Sequence, residues 1–223
     1  MLFRSKLPPE VFTQPVPLPP NTDPPGSLRA NLRKAKALLE AAGWTYRDGA
    51  LRNARGEPLT LEYLDGGSGE RTFAPYVQAL AKLGIRATLR RADFALIQKR
   101  WDVFDFDITV QRHVGSEAPG SELLDRYGSR SAGTQGSHNM TGIADPAVDA
   151  LLELVVAAKT RPELVSRLRA LDRVLRHGHY VIAQWYAEGS RVVYRGGKFE
   201  NPTVAPQYYK AEDWVIRTWW SKT

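Results

Sequence analysis

The chain has 223 residues, 43% of them hydrophobic and 25% charged, which is typical of a globular protein with one large domain or two small ones. The absence of cysteine excludes disulfides and thiol chemistry, and no apolar run approaches the roughly 20 residues of a membrane-spanning helix. The net charge is +7, but the 31 lysines and arginines are spread out without interleaved aromatic residues, so we expect no nucleic-acid partner.

The first 26 residues are expected to form a proline-rich connector. Prolines lie at positions 8, 9, 15, 17, 19, 20, 24 and 25, and this density predicts an extended chain with no regular helix. Because the backbone of such a segment is solvated, we expect the connector to follow the surface of the domain after it. The residues before Pro9 contain no apolar core of the length that a secretory signal requires.

A helix and a hairpin are predicted next. Ser27 is a typical N-cap residue, apolar side chains then share one helical face, and Gly43 ends the helix. Asp48-Gly49 is the strongest short signal for a hairpin turn. The pattern therefore predicts a helix followed by two short antiparallel strands over 44–52.

The segment from 59 to 111 alternates between strand and helix patterns. Alternating apolar and polar residues mark the strands, and apolar residues at helical spacing mark the helices between them. The strands are predicted at 59–64, 85–90 and 105–111, and the helices at 70–83 and in a short segment capped by Asp93. This order predicts an α/β fold with right-handed crossovers and a mainly parallel sheet flanked by helices.

Two capped helices follow a long polar loop over 112–144. Asp145-Pro146 is a typical helix start, and Thr160 with Glu163 forms a capping box for the second helix. The helices are predicted at 146–158 and 162–177, packed together through Leu151, Val155, Leu168 and Leu171. An apolar strand at 180–186 and an aromatic-rich tail complete the chain.

The ordered set of these elements resembles the C-terminal part of family 5 extracellular solute-binding proteins, the oligopeptide-binding components of ABC transporters. The resemblance rests on AKALLEAAGWTYRDGALRNARGEPLTLEYL, then YVQALAKLGIRATLRRAD, RWDVFDFDITV and GSHNMTGIADPAVDALLELV, followed by the aromatic-rich tail. It implies the C-terminal lobe of a type II periplasmic-binding-protein fold. The implied domains are a connector at 1–26, an α/β ligand-binding lobe at 27–180, and a segment at 181–223 that returns toward a first lobe.

The resemblance also implies a function in transport. Proteins of this family capture peptides or peptide-like solutes in a cleft between two lobes and deliver them to the membrane permease of an ABC transporter. It implies a periplasmic location, a monomer when complete, no cofactor, no metal and no catalysis. Because the recognisable sequence begins in the middle of the family's pattern and has no signal peptide, we expect this chain to be a fragment.

Two candidate ligand-binding residues follow from the predicted sheet. An open α/β sheet binds ligands at the carboxyl ends of its strands, and the strand at 105–111 leads there into Gln111 and Arg112. The guanidinium of Arg112 can hold a peptide carboxylate through two parallel hydrogen bonds, and an ordinary solvated arginine is the other interpretation. His113 is interpreted as a surface histidine.

Three further candidates come from the resemblance. The family's residues around the asparagine before the first capped helix approach the ligand cleft, which implies contacts from Asn139 and Met140. The amide of Asn139 can both donate to and accept from a peptide backbone, and the alternative is a loop asparagine that satisfies its own turn. Glu122 is the third, with a surface glutamate as its alternative. Trp185 and Tyr186 are candidates for another reason, because they end the predicted strand at 180–186 and their large flat rings with a polar edge suit varied peptide side chains; core packing is the alternative for Trp185.

Catalytic interpretations have less support. The sequence has no nucleophile elbow, no Walker A loop and no dinucleotide-binding glycine motif. His177 and His179 lack a third metal ligand at suitable spacing, and the aspartates of 102–107 alternate with phenylalanines as in a strand. The alternative function that remains is a stand-alone α/β hydrolase with the 112–144 loop as its active site.

Overall fold

The computed structural model describes residues 7–67, 69–112, 118–184, 192–204 and 211–222. The helices are α1 (Glu10–Thr13), α2 (Leu28–Ala41), α3 (Glu70–Ala81), α4 (Phe94–Asp102), α5 (Glu122–Tyr127), α6 (Pro146–Val156), α7 (Arg161–His177) and α8 (Ala211–Thr218). The strands are β1 (Thr45–Arg47), β2 (Ala50–Arg52), β3 (Thr60–Asp65), β4 (Arg86–Arg91), β5 (Ile108–Thr109), β6 (Phe199–Glu200) and β7 (Trp220–Ser221). Among the described helices, none combines the length and the apolar character needed to span a membrane.

The expectation of no regular helix in the connector is wrong at one place. The four residues of α1 occupy the gap between Pro9 and Pro15, and Pro9 takes the N-cap position with a φ of −54°. Proline disrupts a helix interior but is tolerated at its start, so this gap has room for one turn. Val11 in α1 is 3% exposed and packs into the core formed with α6 and α7.

Two arginines of α7 hold the connector against the helical part of the chain. Arg173 donates from its guanidinium to the backbone carbonyls of Val11 and Gln14. Arg176 donates to the carbonyl of Pro17 at 3.1 Å. Proline has no N–H, so a proline-rich segment cannot satisfy many of its own carbonyls, and the arginines supply the missing donors.

The helix and hairpin after the connector are confirmed. The hydroxyl of Ser27 accepts the N–H of Ala30 at 3.2 Å, and Gly43 follows α2 with a φ of +86°. β1 and β2 pair antiparallel, and the turn between them has positive φ at both Asp48 (50°) and Gly49 (75°). Positive φ at both central residues is typical of the type I′ turn, whose twist matches that of the flanking strands.

The predicted parallel sheet is also confirmed. Its order is β4-β3-β5, and β3 pairs in parallel with both neighbours. The β3–β4 register runs from Thr60 opposite Arg86 to Asp65 opposite Arg91. A small hydrophobic core of Leu51, Leu80 and Ile85 joins the hairpin to α3 and the start of β4.

β5 is shorter than the strand predicted at 105–111. Only Ile108 and Thr109 pair with β3. The carboxylate of Asp107 accepts the backbone N–H of Glu62 at 2.8 Å, which replaces a ladder bond that a longer strand would make. The backbone N–H groups of Asp105 and Phe106 donate to the carbonyls of Arg100 and Phe104 at 2.9 and 3.1 Å, so these two donors are used in the turn after α4 and not in the sheet.

The larger described core lies between α1, α6 and α7, and both predicted helix caps form around it. Asp145 accepts the N–H of Ala147 at 2.7 Å, and Thr160 accepts that of Glu163 at 3.4 Å. The predicted contact between the helices is confirmed by buried Leu151, Val155 and Leu171 and by partly buried Leu168.

The apolar strand predicted at 180–186 is not formed in its described part. Residues 180–184 belong to no strand, and Val181 and Ile182 are 66% and 65% exposed. His179 has a φ of +51°, so the chain turns away from the axis of α7 before the apolar run begins. Trp185 and Tyr186 lie outside the described residues.

The tail forms a small aromatic unit. β6 pairs antiparallel with β7, and the rings of Trp214 and Trp219 meet edge to face with centroids 5.7 Å apart. Tyr194 contacts Trp219 in the same manner at 4.8 Å. Trp220 remains 51% exposed, and Tyr208 and Tyr209 lie outside the described residues.

Candidate functional site

The carboxyl edge of the sheet is the candidate ligand-binding site. Parallel strands end at the same edge, so β3, β4 and β5 bring Asp65, Arg91 and the 110–112 segment to one side of the fold. The last β3–β5 pair is Leu64 with Thr109, which places Gln111 and Arg112 directly beyond this edge. Open α/β sheets bind their ligands at this position.

Arg112 is exposed at this edge, and Gln111 is half-buried. Within the described ranges, the guanidinium of Arg112 makes no hydrogen bond or ion pair with another residue. A planar cation with five free donors can bind a carboxylate with two parallel hydrogen bonds. The position predicted for Arg112 is therefore available to a ligand, and its contact with one stays a prediction.

Asp65 is a candidate that the sequence analysis did not include. It is 5% exposed, and one of its carboxylate oxygens accepts the N–H of Gly69 at 3.0 Å, ahead of α3. The other oxygen is buried and has no hydrogen-bond partner in the part of the chain that the structure describes. An unsatisfied buried carboxylate oxygen is costly, and such groups are often functional. An aspartate that ends an apolar strand before Gly66-Gly67 is the sequence signal for this residue.

Tyr63 lies two residues before Asp65 and therefore on the same face of β3. Its ring stacks on Phe73 of α3 with centroids 3.7 Å apart and an interplanar angle of 15°. Burial, and secondarily the negative charge of Asp65, raises the pKa of the Tyr63 phenol. The wall under the carboxyl edge is therefore a packed aromatic pair beside a buried carboxylate.

Side chains of α4 fix β5 and thereby the start of the 110–112 segment. The indole N–H of Trp101 donates to the hydroxyl of Thr109 at 2.9 Å. This hydroxyl in turn donates to the carbonyl of Leu64 at 3.4 Å. Arg100 forms ion pairs with Glu62 at 2.7 Å and with Asp105 at 2.9 Å. These contacts hold a strand of only two residues in register beside β3.

Asn139 lies in the loop ahead of α6 and is fully buried. Its amide nitrogen donates to the carbonyls of Gly128 and Ile143 at 3.0 and 2.9 Å, and its oxygen accepts the N–H of Ile143 at 2.9 Å. Both amide hydrogens are used, so Asn139 satisfies the loop's own backbone. Met140 beside it is half-buried.

Glu122 begins α5, and its carboxylate accepts the N–H of Gly120 at 3.0 Å. In the same loop, the ring of His138 lies 2.5 Å from the carboxylate of Asp125. The N–H of Gly136 donates to the carbonyl of Asp102 at 2.9 Å, which ties this loop to the end of α4.

The structure therefore brings together only part of the predicted site. Gln111 and Arg112 share the carboxyl edge with Asp65, while the described contacts of Glu122 and Asn139 are made within their own loop. Trp185, Tyr186 and His113 lie outside the described residues. Among the described residues, no group of three or more His, Cys, Asp or Glu side chains is arranged to hold a metal ion.

Comparison with known sequences identifies related proteins that are longer than this chain. The probable peptide-binding protein YejA of Agrobacterium fabrum is 41% identical over 98% of this chain, and the uncharacterized protein YejA of Escherichia coli K12 is 33% identical over 98%. The peptidoglycan-binding protein YepA of Agrobacterium fabrum is 31% identical over 90%. The chain spans about a third of these relatives, namely 35%, 35% and 32% of their lengths.

Two solved structures share the fold. The oligopeptide-binding protein AppA of Bacillus subtilis, in complex with a nonapeptide, has a TM-score of 0.58 at 19% identity and covers 66% of this chain and 30% of its own. A periplasmic oligopeptide-binding protein of Thermotoga maritima, bound to mannohexaose, has a TM-score of 0.63 at 17% identity and covers 76% of this chain and 33% of its own. Both confirm the fold of a periplasmic binding protein.

The family follows from the sequence match. A family model described as bacterial extracellular solute-binding proteins, family 5 Middle, matches residues 4–135, which is more than half of the chain. The resemblance found in the ordered segments is thus confirmed by an independent comparison. The chain belongs to the bacterial extracellular solute-binding proteins of family 5.

Proposed function

We propose that this chain supplies the C-terminal lobe of an ABC-transporter substrate-binding protein that captures a peptide or peptide-like solute between two lobes. Support comes from the YejA relative of Agrobacterium fabrum, which is named a probable peptide-binding protein and is 41% identical. The family match is to proteins that bind solutes and not to enzymes.

The observation that carries the proposal is the carboxyl edge of the sheet. A peptide has a cationic amine and an anionic carboxylate at its ends. The edge offers the guanidinium of Arg112 for a carboxylate and the second oxygen of Asp65 for an amine, and neither has a partner within the described ranges. Gln111 adds an amide that can donate to and accept from a peptide backbone.

The second wall of the cleft comes from a first lobe in this proposal. The chain spans 35% of the YejA relative's length, so a complete protein of that size has ample sequence for another lobe. Receptors with two lobes bury a ligand by a hinge closure. The complete protein is proposed to be a monomer that works in the periplasm and delivers its solute to a membrane permease, consistent with the extracellular description of the family.

The hydrolase alternative is set aside. The family binds solutes, and the two aspartates that lead into the 112–144 loop have structural partners. The carboxylate of Asp105 pairs with Arg100, and that of Asp107 accepts the N–H of Glu62. Neither carboxylate is positioned as a free general base.

Calorimetric titration of the complete protein with a panel of short peptides tests the proposal. We expect binding that Arg112→Ala and Asp65→Asn each weaken by about 1–3 kcal/mol, because each removes one charge-assisted contact. Arg169→Ala is the matched control, since Arg169 is exposed on α7 and away from the sheet edge. The proposal is wrong if no peptide binds, or if both edge variants bind as tightly as the control.

A further inference from the structure

A groove with an apolar floor and basic walls lies between α2 and the end of α3. Its volume is about 450 Å³, enough for two or three side chains of a partner. The floor consists of Leu28, Leu32 and Leu83, and the walls consist of Arg29, Arg33, Lys36 and Lys82.

The helical spacing of α2 produces this arrangement. Leu28 and Leu32 are four residues apart and therefore lie on one face of the helix. Arg29 and Arg33 follow the same spacing one position later, and Lys36 lies four residues after Leu32, so the three cations lie beside the leucines along one rim. Lys82 at the C-cap of α3 provides the cation on the other rim.

The cations of the groove are largely unpaired. In the described chain, Arg29, Arg33 and Lys82 make no ion pair, and no carboxylate lines the groove. Lys36 reaches Glu40 at 3.7 Å, and both of these side chains are at least half exposed. Exposed ion pairs at this spacing contribute little, so Lys36 can exchange its partner at small cost.

The apolar floor is incompletely covered by the chain itself. α2 has no fully buried residue, and Leu28 is 44% exposed. Exposed leucines favour a partner that covers them and removes them from water. The cations on the rims favour a partner that brings carboxylates to them.

We propose that this groove is a docking site for a segment of a partner protein that is amphipathic and acidic, with apolar side chains on the floor and carboxylates along the rims. The groove is shallow, so its charge and not its depth selects the partner, and cations on both rims favour a segment that carries carboxylates. α3 ends where β4 begins, so the groove lies at the amino end of the sheet, opposite the carboxyl edge. A partner can therefore dock there while the edge holds a solute.

Fluorescence anisotropy of the 223-residue chain with a labelled peptide tests this proposal. The probe is a helical peptide of about 14 residues, four turns, with leucines on one face and glutamates elsewhere. A second peptide has glutamine in place of every glutamate. Arg29→Glu/Arg33→Glu is compared with Lys34→Glu/Arg169→Glu, which has the same net charge but changes exposed residues outside the groove.

The expected result is saturable binding of the acidic peptide that the groove variant weakens about tenfold or more and the control variant by less than about twofold. The glutamine peptide should bind at least about tenfold more weakly than the acidic one. Equal losses in both variants would show attraction by net charge alone and overturn the proposal, as would absence of binding.

Anionic phosphatidylglycerol vesicles form a third arm of the experiment. Binding to vesicles that only the groove variant loses, with no peptide binding, would assign the groove to lipid and reject a protein partner.

Discussion

Asn139 and Asp65 are the two polar residues most deeply buried in the described chain, and their atoms are satisfied differently. The amide of Asn139 makes three hydrogen bonds to the backbone around it. One oxygen of Asp65 makes a hydrogen bond and the other makes none. Asn139 therefore stabilises its loop, while Asp65 keeps a buried acceptor that has no partner among the described residues.

Replacing Asn139 with alanine is expected to destabilise the protein and not merely to weaken solute binding. The change leaves the N–H of Ile143 and the carbonyls of Gly128 and Ile143 buried without their partner. A loss of about 2 kcal/mol or more in the free energy of unfolding is expected, measured by urea denaturation. Asn201→Ala removes an exposed asparagine and serves as the control. Equal stability of the two variants would contradict the structural role of Asn139.

The raised pKa of Tyr63 leads us to expect that the free energy of unfolding falls at alkaline pH. Burial, and then the charge of Asp65, raises the pKa of Tyr63 in the folded state above the unfolded value of about 10. The folded state therefore holds the phenolic proton more tightly. This stabilisation is complete below about pH 10 and is lost as the pH rises through the folded pKa.

The measurement is the free energy of unfolding as a function of pH for wild type and Tyr63→Phe. Phenylalanine cannot ionise, so the variant should show a shallower decline above about pH 10. Tyr46→Phe is the control, because Tyr46 is 55% exposed. A decline that is unchanged in Tyr63→Phe, or flattened equally in Tyr46→Phe, would refute the assignment.

The secondary-structure elements that the sequence predicted well are those defined by local chemistry. Ser27, Asp145 and Thr160 each accept a backbone N–H at the start of a helix, and Asp48-Gly49 adopts the backbone that a hairpin turn needs. The parallel order followed from alternating patterns. Such signals involve only a few neighbouring residues, so they can be recognised without knowledge of the fold.

Elements that depend on distant partners were predicted less well. β5 is short because Asp107 bonds to Glu62, 45 residues away, and α1 is held by Val11 inside the α6–α7 core. No local pattern contains these contacts. The apolar residues 181–183 have strand-like composition but no pairing strand in the described chain, so composition alone gave the wrong element.

The contacts between the connector and α7 allow a prediction about how firmly the connector is held. Arg173→Ala removes the donors to Val11 and Gln14, and both carbonyls then need water. Hydrogen bonds from charged groups contribute about 1.5–3 kcal/mol, so we expect a loss of that order in unfolding free energy. Limited proteolysis should also cut the 8–17 segment faster. Arg169→Ala, on an exposed position of the same helix, should change neither measurement, and faster cleavage in both variants would argue against a specific contact.

At the level of the whole protein, the described chain has two separate hydrophobic cores and an aromatic tail. The parallel sheet and the capped helices were predictable, because their patterns repeat along the sequence. Burial of Asn139 was not predictable, since it depends on how Gly128 and Ile143 approach in three dimensions. The same limit applies to Asp65, whose orphan oxygen becomes evident only in the packed strand.

The isolated 223-residue chain is expected to bind peptides weakly and to self-associate. Solute capture in the proposed function requires a second lobe, and this chain spans about a third of its relatives, 35% of the YejA length. The tail also exposes apolar side chains, with Val193 fully exposed and Ile216 81% exposed. Exposed apolar groups promote association, because burying them between chains removes them from water.

Sedimentation velocity over a range of concentrations measures this association, and calorimetry with the same peptide panel measures binding. Val193→Glu/Ile216→Glu should shift the chain toward monomer, because a charged side chain opposes burial of either position between chains. Thr141→Glu/Ser166→Glu introduces the same charge at exposed positions outside the tail and should leave association unchanged. A wild-type chain that is monomeric throughout and binds peptide tightly at one-to-one stoichiometry would show that one lobe suffices. In that case the carboxyl edge alone would have to supply the binding free energy that two-lobed receptors obtain by closing around the solute.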